Sequence, residues 1–362
     1  MCIHWSRVLS HSESSSEPPS GSTDGSPSGA TFQEQLKVLR QEQSNQALPG
    51  LIATWIALPL VMASPIFLGA PWWSVFFLWP VIGWLQYRIV ISGHEAVHKT
   101  LCYPEGLNEF FGITGQALVG VNFAAYRLQH MDHHKAVESE QDPDSHIYRG
   151  IVETPRGLRR TLVWTAGTLF EILVKIRQKG TGGYGSKRKV SDKVKRDKVL
   201  HTGLVLLLQS SILVATGFGL AHMMSVDLIE MVDKGFVGWA HILIGLPAGY
   251  LLFWFGPLAV FAVFLNRSRI LIEHGLPLAL AKEMPEGWGG KRIPTVDIVP
   301  GRLEQELFAP FSFNYHCAHH LFMAVPHYNL AKLRALCIEH KVSGYHEIQG
   351  SYLQALMRTM RV

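Results

Sequence analysis

Apolar residues along the chain fall into four long runs, set apart by two extended polar stretches. The first run covers 51–68 (LIATWIALPLVMASPIFL), with Pro59 and Pro65 set to kink it as a helix. The second covers 72–92 (WWSVFFLWPVIGWLQYRIVIS) and follows after only the tripeptide GAP. The third covers 199–224 and the fourth 239–265. A hydrocarbon core of about 30 Å is crossed by about 20 helical residues, so every run is long enough to span it. The pattern predicts an all-α integral membrane fold, with four transmembrane helices in two hairpins joined by short outer connections. Two further apolar stretches are too short or too charged to span. Residues 110–125 are expected to form a re-entrant or interfacial helix, and 161–176, which carry Glu171 and Lys175, to lie on the membrane surface.

The ends of the chain read differently. The stretch SESSSEPPSGSTDGSPSG buries too little apolar surface to offset its ordering entropy, so residues 1–30 are expected to be disordered. No secretory signal or transit peptide is visible in it. Residues 31–48 have helical spacing, with Phe32, Leu36 and Leu39 on one side, and predict a short interfacial helix. The expected organisation is a tail with that helix over 1–48, a membrane domain over 49–350, and a C-terminal tail over 351–362.

Composition agrees with a membrane protein. Charged residues make up 17% and apolar residues 48% of the 362, against about 25% charged in an average soluble domain. The net charge of +5 does not mark a nucleic-acid binder, because the basic residues sit between the apolar runs. Residues 93–198 hold 17 Lys and Arg and residues 266–362 hold 11, whereas the outer connections 69–71 and 225–238 hold only Lys234. Positive residues stay inside, so both large segments and both termini are expected on the cytoplasmic face. Cys2, Cys102, Cys317 and Cys337 show no framework spacing and read as free thiols of a reducing compartment.

The candidate chemistry lies in the histidines. Of 18, eight fall into three clusters: HEAVH (His94, His98), HMDHH (His130, His133, His134) and HCAHH (His316, His319, His320). Residues three and four apart share a helical face, so each cluster is expected to aim two or three imidazoles at one point. The charge pattern puts all three clusters on the same side of the membrane. Eight imidazoles exceed the needs of one tetrahedral zinc and suit two irons taking four or five nitrogens each. His201, His222 and His241 read as ordinary core or surface residues.

With these boxes the chain resembles the membrane fatty-acid desaturase superfamily, whose signature is HxxxH, HxxHH and HxxHH. The similarity covers residues 50–340. The third box continues as HHLFMAVPHYNLAKL, similar to the ending of acyl-lipid desaturases, and the second, followed by QDPDSH, is similar to versions in lipid and sphingolipid desaturases and carotenoid ketolases. The resemblance implies four membrane helices, a cytosolic helical cap, a non-haem di-iron site and O2-dependent hydrogen abstraction from an unactivated C–H bond. It puts iron ligands at the eight box histidines. A ninth, between the second and third boxes, falls on His274 in RILIEHG, with His146 and His327 as further candidates. Asp132, Asp142, Asp144 and Glu273 lie near these residues in sequence and are expected to accept from their second ring nitrogens.

The expected function is O2-dependent desaturation of a lipid acyl chain, with two iron ions as cofactor and O2 as co-substrate. No cytochrome b5 motif, flavin motif or cysteine cluster is present in the sequence, so an external ferredoxin or cytochrome b5 is expected to supply electrons. A hydroxylase or ketolase of carotenoid, sphingolipid or alkane on the same scaffold is the alternative. A remoter one is a membrane zinc protease, since HEAVH matches HExxH. It uses only His94, Glu95 and His98 and leaves the other clustered histidines without a role.

Overall fold

The computed structural model of the protein describes residues 31–137, 139, 141–167, 190–226, 230, 233–281 and 295–361. The expected disordered stretch 1–30 lies outside the described residues, as do Glu171 and Lys175.

Among the described residues, four helices are long and apolar enough to cross a membrane: Leu48–Phe67, Trp72–Val97, Asp192–Met223 and Ile242–Leu280. The first, α2 (Leu48–Phe67), carries Pro59 and Pro65 inside it. The second opens as a 3-10 turn over Trp72–Leu78 and continues as α3 (Trp79–Val97). Next come α4 (Glu105–Leu118), α5 (Phe123–Ala136) and α6 (Ser145–Glu153). The third long helix is α7 (Asp192–Met223). The fourth joins α8 (Phe236–Tyr250), α9 (Val263–Ile270) and α10 (Leu276–Ala281) through π-helical turns at Leu251–Phe255, Leu258–Ala262 and Leu271–Gly275.

The second and fourth helices run beyond the ends that hydropathy suggests. Polar residues mark those ends in the sequence, yet Ser92, His94, Glu95, Arg267, Ser268, Arg269 and Glu273 are all buried. Protein takes the place of water around them, as where Ser92 donates to the Ile89 carbonyl and Arg269 to Glu273, so the helices continue.

Small residues let the helices approach closely. A Cβ on Gly249 would lie 2.4 Å from the carbonyl oxygen of Thr216, so α7 and α8 cross in backbone contact. At Gly93 a Cβ would lie 1.7 Å from Gln116 Nε2, which donates to the carbonyl of Val90 across 3.2 Å. That bond ties α4 to α3 one turn before His94. An apolar cavity of about 410 Å³ lies between α2 and α7, lined by Trp55, Met62, Ile89, Ile212, Thr216 and Trp254 among others.

The remaining elements gather around the polar end of this bundle. The N-terminal helix α1 (Phe32–Gln41) starts with a capping box between Thr31 and Glu34. Its apolar side faces protein: Leu36 and Leu39 are buried with Ala318, Leu330, Leu333 and Leu336. After α11 (Arg302–Phe308) and the short α12 (His316–Leu321) comes α13 (Leu330–Glu339). Strands β1 (Asp297–Val299) and β2 (Glu347–Gln349) pair in parallel, with Ile298 opposite Ile348. Residues expected as a C-terminal tail form α14 (Tyr352–Arg361), which buries Tyr352, Ala355, Leu356 and Thr359. An apolar stripe at this spacing makes it a packed helix.

Candidate metal centre

Each box is carried by a helix that the fold brings to one place. His94 lies in the last turn of α3, with His98 capping it. His130, His133 and His134 lie on α5, His274 in the π-turn of the fourth helix, and His316, His319 and His320 on α12. The nine assemble into two groups that can each hold a metal ion: His94, His98, His130, His134 and His319; and His133, His274, His316 and His320. Within each group the available donor atoms lie within 4.8 Å of one another.

This corrects one expectation. The two HxxHH boxes do not each aim at one point; each divides between the groups. Histidines four apart stay together, as His130 with His134 and His316 with His320, while the middle residue crosses over. Successive helical residues differ by about 100° in direction, so neighbours such as His133 and His134 face different partners. The groups touch where the rings of His134 and His320 stack, 4.3 Å between centroids.

The nitrogens converge as ligands do. The Nε2 atom of His130 lies 2.8 Å from that of His98 and 2.9 Å from that of His134, which is 3.3 Å from that of His319. In the second group, His316 Nε2 lies 2.9 Å from that of His274 and 3.1 Å from that of His320. An imidazole nitrogen offers one proton or one lone pair in its plane, so neither hub satisfies two neighbours by hydrogen bonding. The Nε2 of His94 is buried with no hydrogen-bond partner at all. A cation amid the nitrogens satisfies every one. Metal–nitrogen bonds of about 2.1 Å put adjacent ligands of a six-coordinate ion about 3.0 Å apart, close to the observed spacings. The donor set thus fits two imidazole-rich metal ions.

Electrostatics keep the donors ready. Burial, and then Arg127, pulls His98 down to about 4, and burial with repulsion from His98 and His133 pulls His134 down to about 2. Burial and neighbouring imidazoles also hold His130, His316, His319 and His320 well below the usual histidine range. These rings are neutral and carry lone pairs for a metal. His133 differs: burial opposes its charge, but its bond to Asp142 and the charges of Asp144 and Asp142 outweigh burial and raise it.

Carboxylates accept from the outward nitrogens of His133 and His94, and another lies near that of His316. The Nδ1–H of His133 donates to Asp142 across 2.7 Å, and Tyr148 Oη donates to the other oxygen of Asp142 across 2.7 Å. Asp144 lies 3.9 Å from His133 and accepts from Gln129. Glu273 lies 3.7 Å from His316 Nδ1. Asp132 is half-buried and hydrogen-bonds to none of the histidines, so the carboxylate role expected of it falls away.

Two further carboxylates lie beside the boxes. Glu95 accepts from His94 Nδ1 across 3.0 Å and from Thr100 Oγ1 across 3.0 Å. It is thereby turned to the outward nitrogen of His94, away from the general-base position a zinc protease needs. Asp297 accepts from the backbone N–H of Cys317 (2.6 Å) and Ala318 (3.2 Å) at the start of α12, and from Tyr345 Oη (2.8 Å). Burial pushes its carboxyl up to about 7 against those bonds.

The other candidates stand apart from the groups. His146 Nδ1 bonds to the carbonyl of Pro143. His327 is buried beside Glu95, 3.6 Å away, and burial pulls it down to about 4. Its neighbours secure the N-terminal segment: Tyr328 Oη donates to the Glu42 carbonyl (2.8 Å) and Asn329 Nδ2 to that of Leu39 (3.0 Å). His201 Nδ1 accepts from the N–H of Ala124, and His222 is exposed. The side chain of His241 lies outside the described residues.

Comparison with known proteins gives a relative and a family. A stretch of 89 residues is 33% identical to the ceramide hydroxylase of Caulobacter vibrioides (strain NA1000 / CB15N), covering 23% of this chain and 23% of that protein. The chain therefore matches less than a quarter of that relative's length. The family model described as fatty acid desaturase matches residues 70–348, well over half of the 362. The chain belongs to the fatty acid desaturase family of integral-membrane oxidoreductases.

Proposed function

We propose that the protein is an O2-dependent lipid desaturase that introduces a double bond into an acyl chain. The observation that carries this is the convergence of nine histidine nitrogens into two neighbouring groups, at the end of apolar helices. His94, His98, His130, His134 and His319 would hold one iron, and His133, His274, His316 and His320 the other. When bound, the irons supply the redox chemistry that lets O2 attack an unactivated C–H bond.

The chain does the rest. Asp142 and Glu95 fix the Nδ1 protons of His133 and His94, so that Nε2 faces inward. The apolar cavity beside α2 offers room for hydrocarbon, and Ile89 on its wall precedes His94 on the same helix. Holding a chain in register there selects which carbons react. Overall, two hydrogens leave adjacent carbons, an external donor gives two electrons, and with two solvent protons O2 becomes two waters. The donor is a ferredoxin or cytochrome b5 type protein. The charge distribution favours two hairpins with the histidines, a helical cap and both termini on the cytoplasmic face.

The stretch shared with ceramide hydroxylase supports a second reading, hydroxylation of a sphingolipid-type chain at the same centre. Expression in lipid-fed host cells under labelled O2, followed by mass spectrometry of the lipids, separates the two. A new double bond without label supports desaturation. Label retained in the product supports hydroxylation, and unchanged lipids across suitable hosts reject both.

A further inference from the structure

The outward nitrogen of His316 faces a carboxylate that two other side chains hold. Glu273 is fully buried, directly precedes His274 on the fourth helix, and has Oε2 3.7 Å from His316 Nδ1. Arg269, one turn earlier, donates to Oε2. Tyr352 Oη donates to Oε1 across 3.0 Å. Tyr352 comes from α14, at the far end of the chain, and is itself fully buried, its ring stacked on Phe308 at 5.2 Å and 12°. Arg160 anchors α14 by donating to the Thr359 carbonyl across 3.0 Å, and Glu304 by accepting from the N–H of Leu353 across 3.0 Å.

The five-histidine group is built otherwise. His94 depends on Glu95 of its own helix, and Glu95 on Thr100 five residues on. The carboxylate that Tyr352 holds faces the four-histidine group.

We propose that Tyr352 is a positioning residue for the four-histidine group alone: it holds the Glu273 carboxylate against His316, so that the last helix governs one metal site and not the other. A buried carboxylate keeps its orientation while both oxygens have partners, and loss of the hydroxyl leaves Oε1 without one. Loss of such outer support weakens metal binding about 10–100-fold. The inference rests on the two-iron reading above.

The test uses the full chain in detergent, loaded with 57Fe, with iron content and Mössbauer spectra recorded before and after a chelator challenge. Tyr352→Phe is expected to lose iron from one site about 10–100-fold more readily, while the quadrupole doublet of the other keeps its wild-type parameters. Glu273→Gln is expected to lose the same doublet. Phe308→Leu, which removes the stacked ring but leaves the hydroxyl, is expected to keep both. Unchanged spectra in Tyr352→Phe overturn the inference, as does parallel loss of both irons. A wild-type chain that takes up no iron overturns the metal reading and this inference with it, whereas iron-loaded wild type beside an unaltered Tyr352→Phe overturns the inference alone.

Discussion

His133 and Asp142 lie nine residues apart in sequence and meet across a 2.7 Å hydrogen bond, the shortest of those joining a clustered histidine to a carboxylate. The carboxylate is buried, accepts from Tyr148 as well, and also accepts from the backbone N–H of Asp144. It therefore fixes the tautomer of His133 and its direction. Asp142→Asn is expected to weaken metal retention about 10–100-fold, with Asp132→Asn unchanged. Competition with a chelator, read as iron left per chain, checks both.

The stability of the metal-free protein should depend strongly on pH. His98 and His134 sit at about 4 and about 2 in the folded chain, below the ordinary 6.5. Below pH 6.5 the unfolded chain binds protons that the folded chain refuses, so folding weakens as pH falls from 6.5 toward those values. Each such histidine contributes a slope of about 1.4 kcal/mol per pH unit. Thermal unfolding of the chelated protein between pH 7 and pH 5 should show the fall, and the iron-loaded protein, more stable at pH 7, one at least as steep, because coordination also bars protons from the folded state.

The PHYN stretch ties three parts of the molecule together through consecutive residues. His327 faces Glu95, Tyr328 bonds to the Glu42 carbonyl, and Asn329 bonds to the Leu39 carbonyl. Asn329→Ala leaves a carbonyl without its donor and is expected to cost about 1–3 kcal/mol. Hydrogen exchange should rise first across α1, with the box helices following.

At Gly249 the backbones of α7 and α8 touch. An alanine there meets the Thr216 carbonyl 2.4 Å away, inside any permitted contact. Gly249→Ala is expected to destabilise the protein by about 1–3 kcal/mol, while Gly245→Ala, whose Cβ meets nothing within 4 Å, is expected to be neutral. Unfolding in mixed micelles compares them.

Much of this was legible in the sequence, for identifiable reasons. Long apolar runs mark the membrane helices because lipid admits few alternatives. Clusters four apart mark donors because helix geometry puts them on one side. The crossing of His133 and His319 between groups was not legible, since periodicity shows which residues share a face but not what that face meets. His274 entered through resemblance only; the π-turn that carries it has no local signature. Asp297 and Tyr352 act on residues 20 and 79 positions away, and nothing near either one announces its partner. The burial of Tyr352 has no signal in the sequence, because ten residues offer too short a pattern for burial to be argued.

The division of adjacent histidines between the two groups has a mechanical consequence. His133 and His134, like His319 and His320, are joined by a single peptide unit yet serve opposite groups. Covalent geometry therefore acts as the ruler between the two centres, twice over, on separate helices. Inserting one residue between His130 and His133 would swing the following pair by about 100° and dismantle both centres in one stroke.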